Sequence, residues 1–214
     1  VLVNVGTGSQ VSVWTPAPAG LPSVETRPCA EGAFLLVGSS LCGGRAFAAL
    51  EGFYREAAAM AGGPAGPLYD AMEREAETCV GSPDRLRVDT RFSGTRQDPS
   101  LRGGVAGLGL DNFHPGFLTL GVLEGIVEEL YGFYREMEPE LPKKPAVLVG
   151  AGYGLRKTRL LQKLFSARFG LPLQIPVHRD AYGAALTALG GAGGAASIAE
   201  AQAVIRYEPG AVFE

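Results

Sequence analysis

The sequence predicts an α/β fold in which a mixed sheet is flanked by helices. Two observations carry this. The first part of the chain reads as a strand meander, and later segments alternate between helical and strand periodicity. The 31 glycines follow no fixed period and cluster at short turns, which excludes collagen and argues against long disorder.

Val1 to Val5 is apolar and rich in β-branched valine, broken by the polar Asn4, and reads as a strand. Gly6-Thr7-Gly8 turns the chain, and Gln10 to Trp14 alternates polar and apolar residues, so the pair reads as a hairpin. Thr15 to Pro28 is rich in proline and is predicted to be a loop. Ala33 to Val37 is a third strand. Gly43 to Met60 carries Phe47, Leu50 and Tyr54 near helical spacing, and Leu68 to Val80 is a second amphipathic helix beyond a Gly/Pro break. Leu86 to Thr90 and Val105 to Leu110 are short strands around a polar, glycine-rich loop. Phe117 to Met137 is the longest helix, with an apolar stripe of Leu120, Leu123, Ile126, Val127 and Leu130, and Pro139 and Pro142 stop it. Ala146 to Val149 is a buried-type strand. Gly150 to Gly154 forms a corner, and Leu155 to Phe169 reads as one helix. Leu173 to Pro176 is a short strand, Ala181 to Leu189 a small-residue helix, and Gly190 to Ala196 a linker. Ala199 to Glu214 is a short helix with an extended tail.

Length allows one large domain with a well-buried core, or at most two small ones. A net charge of -3 argues against a nucleic-acid surface. No apolar stretch reaches the roughly 20 residues of a membrane span. Cys29, Cys42 and Cys79 form no disulfide framework, and two histidines make a structural zinc site improbable. Reduced thiols point to a cytoplasmic protein. The chain opens without Met and already in strand, so it is expected to be a piece of a longer protein.

Three glycine turns are the candidate chemistry. At Gly6-Thr7-Gly8 the backbone can approach an anion and aim N–H groups at phosphate oxygens; the turn is equally explained by a hairpin that needs positive φ. Gly150 to Gly154 joins a buried strand to a helix, and either binds a polar ligand edge or packs a tight corner. It departs from the dinucleotide fingerprint, because Leu155 replaces the last glycine. Leu41-Cys42-Gly43-Gly44 opens the first long helix, with Phe47 one turn on, placed either against a purine or in the core. His114, before Pro115 at the entry to the longest helix, reads as a cap or packed surface residue. Arg91, Arg96 and Arg102 lie in the polar loop and meet phosphate or serve solubility.

The order of these motifs, with Phe92-Ser93-Gly94-Thr95-Arg96, Val122-Leu123-Glu124-Gly125-Ile126, Gly183-Ala184-Ala185-Leu186 and Tyr207-Glu208-Pro209, resembles the C-terminal domain of the FGGY carbohydrate kinases over nearly the whole chain. The resemblance implies a ribonuclease-H-like domain of the actin and hexokinase type. It implies ATP with Mg2+ as cofactors, and a sugar acceptor, a ketose such as sedoheptulose, held mainly by an N-terminal domain absent from this chain. By the same resemblance Gly6, Thr7 and Gly8 meet the β- and γ-phosphates, Gly43 and Phe47 line the nucleotide pocket, and Gly152 belongs to the adenosine loop. Arg156 stands where relatives often carry Ser or Asn. Gly183 and Ala184 match a small-residue helix beside the interdomain hinge. The general-base Asp is expected upstream of Val1. ATP or ADP and sugar are the implied partners, with no nucleic acid and no membrane; a homodimer stays open. Two rivals remain: a non-catalytic nucleotide-binding regulator of the same superfold, and an NAD enzyme using Gly150 to Gly154 with Asp180 as its acidic residue.

Overall fold

The computed structural model describes residues 1–63, 66–178, 181–194 and 197–208. A six-stranded sheet organises them. In chain order its strands are β1 (Leu2–Val5), β2 (Ser9–Thr15), β3 (Glu25–Pro28), β4 (Phe34–Ser40), β7 (Leu148–Ala151) and β8 (Leu173–Gln174), and they lie side by side as β3-β4-β2-β1-β7-β8. The first four strands pair antiparallel, whereas β1 with β7 and β7 with β8 are parallel. A small hairpin, β5 (Arg87–Asp89) with β6 (Gly104–Ala106), stands apart. The predicted mixed sheet with flanking helices is what forms.

The longest helix, α3 (Pro115–Met137), is the hub of the core. Its stripe of Leu120, Leu123, Ile126, Val127 and Leu130 is fully buried. It packs on α2 (Tyr69–Cys79), on α5 (Arg159–Phe169) and on the sheet through β2 and β4. Every side chain buried along that stripe removes apolar area from water, on the order of 25 cal/mol per Å². His114 caps α3: its Nδ1 accepts from the Gly116 N–H at 3.1 Å. Two other helix entries are capped from a distance. The buried Glu51 of α1 (Gly44–Met60) accepts the Leu68 N–H at 3.1 Å, just before α2, and Glu73 of α2 accepts the Leu160 N–H of α5 at 2.6 Å. Each carboxylate satisfies a backbone donor that helix geometry leaves open.

Three sequence expectations are corrected. The stretch Thr15 to Pro28 is not all loop, because β3 forms in it by pairing Glu25 through Pro28 with β4. Leu155 to Phe169 is not one helix: α4 (Tyr153–Lys157) ends at Thr158, whose φ of -105° and ψ of 100° break the spiral before α5. The Gln162 amide donates to the Leu155 carbonyl at 2.8 Å, and so covers an acceptor exposed by that break. The strand expected over Val105 to Leu110 stops at Ala106, and Leu110 is fully exposed. The last helices are α6 (Ala181–Gly191) and α7 (Ile198–Gln202). Pro209, the rest of the expected tail, and Asp180 lie outside the described residues. No described helix is long and apolar enough to cross a membrane.

Candidate functional site

The three glycine turns meet at one place, the C-terminal end of β1. Because β1 and β7 are parallel, their ends open on the same edge of the sheet. The chain leaves β1 toward β2 on one side and leaves β7 toward β8 on the other. Such a switch point leaves a crevice between the two departing loops, where ligands of open α/β sheets commonly sit.

Contacts around this point are too close for side chains. Gly44 donates its N–H to the Gly6 carbonyl at 3.0 Å, and Arg45 donates to the Thr7 carbonyl at 3.2 Å, so α1 starts directly on the β1–β2 turn. A Cβ on Gly43 would strike the Ser9 hydroxyl and come within 2.7 Å of the Gly8 carbonyl carbon, and the residue holds φ at 38°. At Gly152, with φ at 87°, a Cβ would run into Asn4 and the end of β1, 2.6 Å from the Val5 carbonyl carbon. Packing therefore explains why these positions are glycine. It does not use up their donors. Among the described residues, the N–H groups of Thr7, Gly8 and Gly152 have no hydrogen-bond partner, and Thr7 is exposed at the tip of its turn. Unpaired amides clustered in a concave turn are suited to an anion.

The other candidate residues are placed differently. Phe47 is 8% exposed and packs edge-on against Tyr69 with ring centroids 5.3 Å apart, so its ring belongs to the core beneath the turns. Arg156 is committed to structure. Its Nη2 donates to the carbonyls of Pro176 and His178, both at 2.6 Å, and its Nη1 pairs with Glu208 at 3.0 Å. This guanidinium ties α4, and with it the Gly152 turn, to the segment after β8 and to the bridge between Pro176 and Tyr207. Arg91, Arg96 and Arg102 are also engaged, with Asp89, with Glu25 and with the carbonyls of Pro99 and Leu101. Gly183 and Ala184 fall on α6. Cys29, Cys42 and Cys79 are free thiols.

Residues 1–197 match the FGGY family of carbohydrate kinases, C-terminal domain. The chain belongs to this family. No curated protein matches it. Among solved structures, FGGY likeness of fold is extensive. A ligand-bound xylulose kinase from Lactobacillus acidophilus superposes with a TM-score of 0.81 at 21% identity, covering 99% of this chain and 42% of that one. The gluconate kinase from the same organism gives 0.81 at 20% identity, with 99% and 42% covered. The Plasmodium falciparum glycerol kinase solved with ADP gives 0.76 at 16% identity, with 100% and 42% covered. The chain thus spans about 42% of the length of these proteins. The FGGY match sets aside the NAD reading of Gly150 to Gly154.

One residue beside this site was not singled out from the sequence. Glu129 of α3 accepts from the Ser40 hydroxyl at 2.9 Å and from Thr90 at 3.4 Å. Burial pushes its carboxyl above the usual carboxylate range, the two hydroxyls and the Arg91 guanidinium oppose this, and Asp89 adds to it. In sequence it is one of several glutamates on a helix, and only the fold brings β4 against it.

Proposed function

We propose that this chain is the nucleotide-holding half of a sugar kinase, which transfers the γ-phosphate of ATP to a sugar hydroxyl, with a ketose such as sedoheptulose as acceptor. The observation that carries the reading is the convergence of three glycine turns at the β1–β7 switch point, with the amides of Thr7, Gly8 and Gly152 unpaired. Phosphoryl transfer asks mainly for positioning and charge stabilisation. The amides of Thr7 and Gly8 would hold the terminal phosphates, and the bare backbone at Gly152 and Gly43 would let the nucleoside lie close to the sheet edge. Phe47 and Arg156 then serve the site from beneath and beside it: the ring supports the α1 turn, and the guanidinium fixes α4.

Magnesium, if bound with the nucleotide, would supply charge neutralisation in such chemistry. Among the described residues no group of three or more His, Cys, Asp or Glu side chains could hold a metal ion. In this reading the metal would come with the nucleotide. By the family resemblance, a general-base Asp and most of the sugar pocket would come from an N-terminal domain that closes over the turns.

The acceptor reading rests on the likeness of Val3 to Val11 and of Leu41 to Gly44 to sedoheptulokinase. A kinase assay of the full-length protein with ATP against a panel of ketoses and polyols tests it. Turnover fastest with sedoheptulose is expected. Preference for xylulose, gluconate or glycerol would replace the acceptor and keep the reaction. Nucleotide binding without turnover on any sugar would favour the non-catalytic regulator.

A further inference from the structure

Ser40 ends β4 and stands between two groups. Its hydroxyl donates to Oε2 of Glu129 at 2.9 Å, and its oxygen accepts the N–H groups of Cys42 and Gly43, each at 3.3 Å. Ser40 is 6% exposed, and the two amides it receives are buried. Those amides belong to the turn that launches α1, whose next two N–H groups are spent on the carbonyls of Gly6 and Thr7. A continuous line of hydrogen bonds thus runs from a carboxylate on α3, through one hydroxyl, into the two turns at the candidate nucleotide site.

We propose that Glu129 is a positioning residue for the nucleotide site: through Ser40 it fixes the Cys42–Gly43 amides and, with them, the seat of the Gly6–Gly8 turn. This rests on the nucleotide reading above. As a carboxylate, Glu129 can only accept, so it draws the Ser40 proton and leaves the serine lone pairs to the two amides. Hydrogen bonds to a charged acceptor are the stronger ones and hold that orientation. Once protonated, Glu129 loses this hold and Ser40 is free to rotate. The charged and titratable groups around it are few. Asp89 and Arg91, at the end of β5 and just beyond it, are paired with each other at 2.6 Å. Glu128 of α3 and Arg168 of α5 are also paired. Glu124, one turn before on α3, is paired with Arg85 at 2.9 Å. No cation within salt-bridge distance neutralises Glu129 among the described residues, so its charge state is set by pH near a carboxyl already raised by burial.

The test uses full-length protein and ADP with magnesium, followed by calorimetry across a pH series from the ordinary carboxylate range to mildly alkaline pH. Wild-type affinity is expected to fall as pH is lowered. Glu129→Gln, which mimics the neutral acid, is expected to bind ADP about tenfold more weakly at the alkaline end, the scale of one charge-assisted hydrogen bond, and to keep only the pH slope that ionisation of the ADP phosphates supplies. Ser40→Ala is expected to reproduce that loss, and the sugar KM should hold in both. Wild-type affinity that does not change with pH overturns the proposal without recourse to any variant. So does a Glu129→Gln profile that follows the wild-type curve. If the wild type binds no ADP at any pH, it is the nucleotide reading itself that fails.

Discussion

Gly44 donates its backbone N–H to the carbonyl of Gly6 at 3.0 Å, so the first long helix is seated on the turn between the first two strands. A Cβ on Gly44 would collide with that same carbonyl oxygen. Gly44→Ala must push α1 off the turn. Overpacking of this kind costs about 1–3 kcal/mol. Urea unfolding should show that loss, and ADP affinity should fall with it.

Helix α3 offers an internal contrast. A Cβ on Gly125 would press into the Val88 carbonyl and lie 2.8 Å from Thr90 Cγ2, whereas one on Gly132 would meet nothing within 4 Å. Gly132→Ala should stabilise by up to about 1 kcal/mol, the helix-propensity gain. Gly125→Ala should destabilise by about 1–3 kcal/mol and loosen the β5–β6 hairpin from the helix. Thermal melts of the two variants side by side check this.

Arg156→Ala should cost about 1.5–3 kcal/mol, the range for hydrogen bonds made by a charged group, because two carbonyls lose a shared donor. Glu208→Gln removes only the more exposed partner and should cost about 0–1 kcal/mol. Hydrogen exchange should show faster opening at residues 203–208 in the arginine variant alone.

Stability should depend on pH through opposing carboxyls. Glu129 and Glu124 are raised, chiefly by burial. A raised carboxyl binds its proton more tightly folded than unfolded. The stability it lends is therefore present at low pH and falls as pH rises through its folded value. Asp89 is lowered, first by its hydrogen bonds from Arg91, so its contribution runs the other way: present above the ordinary carboxylate range, lost as pH falls through its folded value. Glu129→Gln should weaken the first trend, leaving the part due to Glu124, and raise the denaturation midpoint at neutral pH relative to wild type, while Asp89→Asn should lose stability there. Denaturant midpoints measured from mildly acidic to neutral pH separate the two.

Much of this fold was legible because its signals are local. The stripe from Leu120 to Leu130 and the alternation from Gln10 to Trp14 each mark their element within a few residues. What escaped depends on partners far along the chain. Glu25 to Pro28 is polar and ends in proline, and it becomes a strand only because β4 offers an open edge. The break at Thr158 carries no glycine or proline; it is held by the Gln162 amide, four residues on. The glycines of the site were visible, but their meeting point was not, since it requires β1 and β7, more than 140 residues apart, to pair in parallel. Phe47 and Arg156 were expected to line the nucleotide pocket, yet the fold directs one side chain into the core and the other to carbonyls of a neighbouring segment.

Backbone amide shifts of the chain during titration with ADP and magnesium test the central claim most directly. The account predicts saturable shifts that are largest at Thr7, Gly8, Gly43 and Gly152. Shifts confined to the β5–β6 hairpin, with those four amides unmoved, would contradict it.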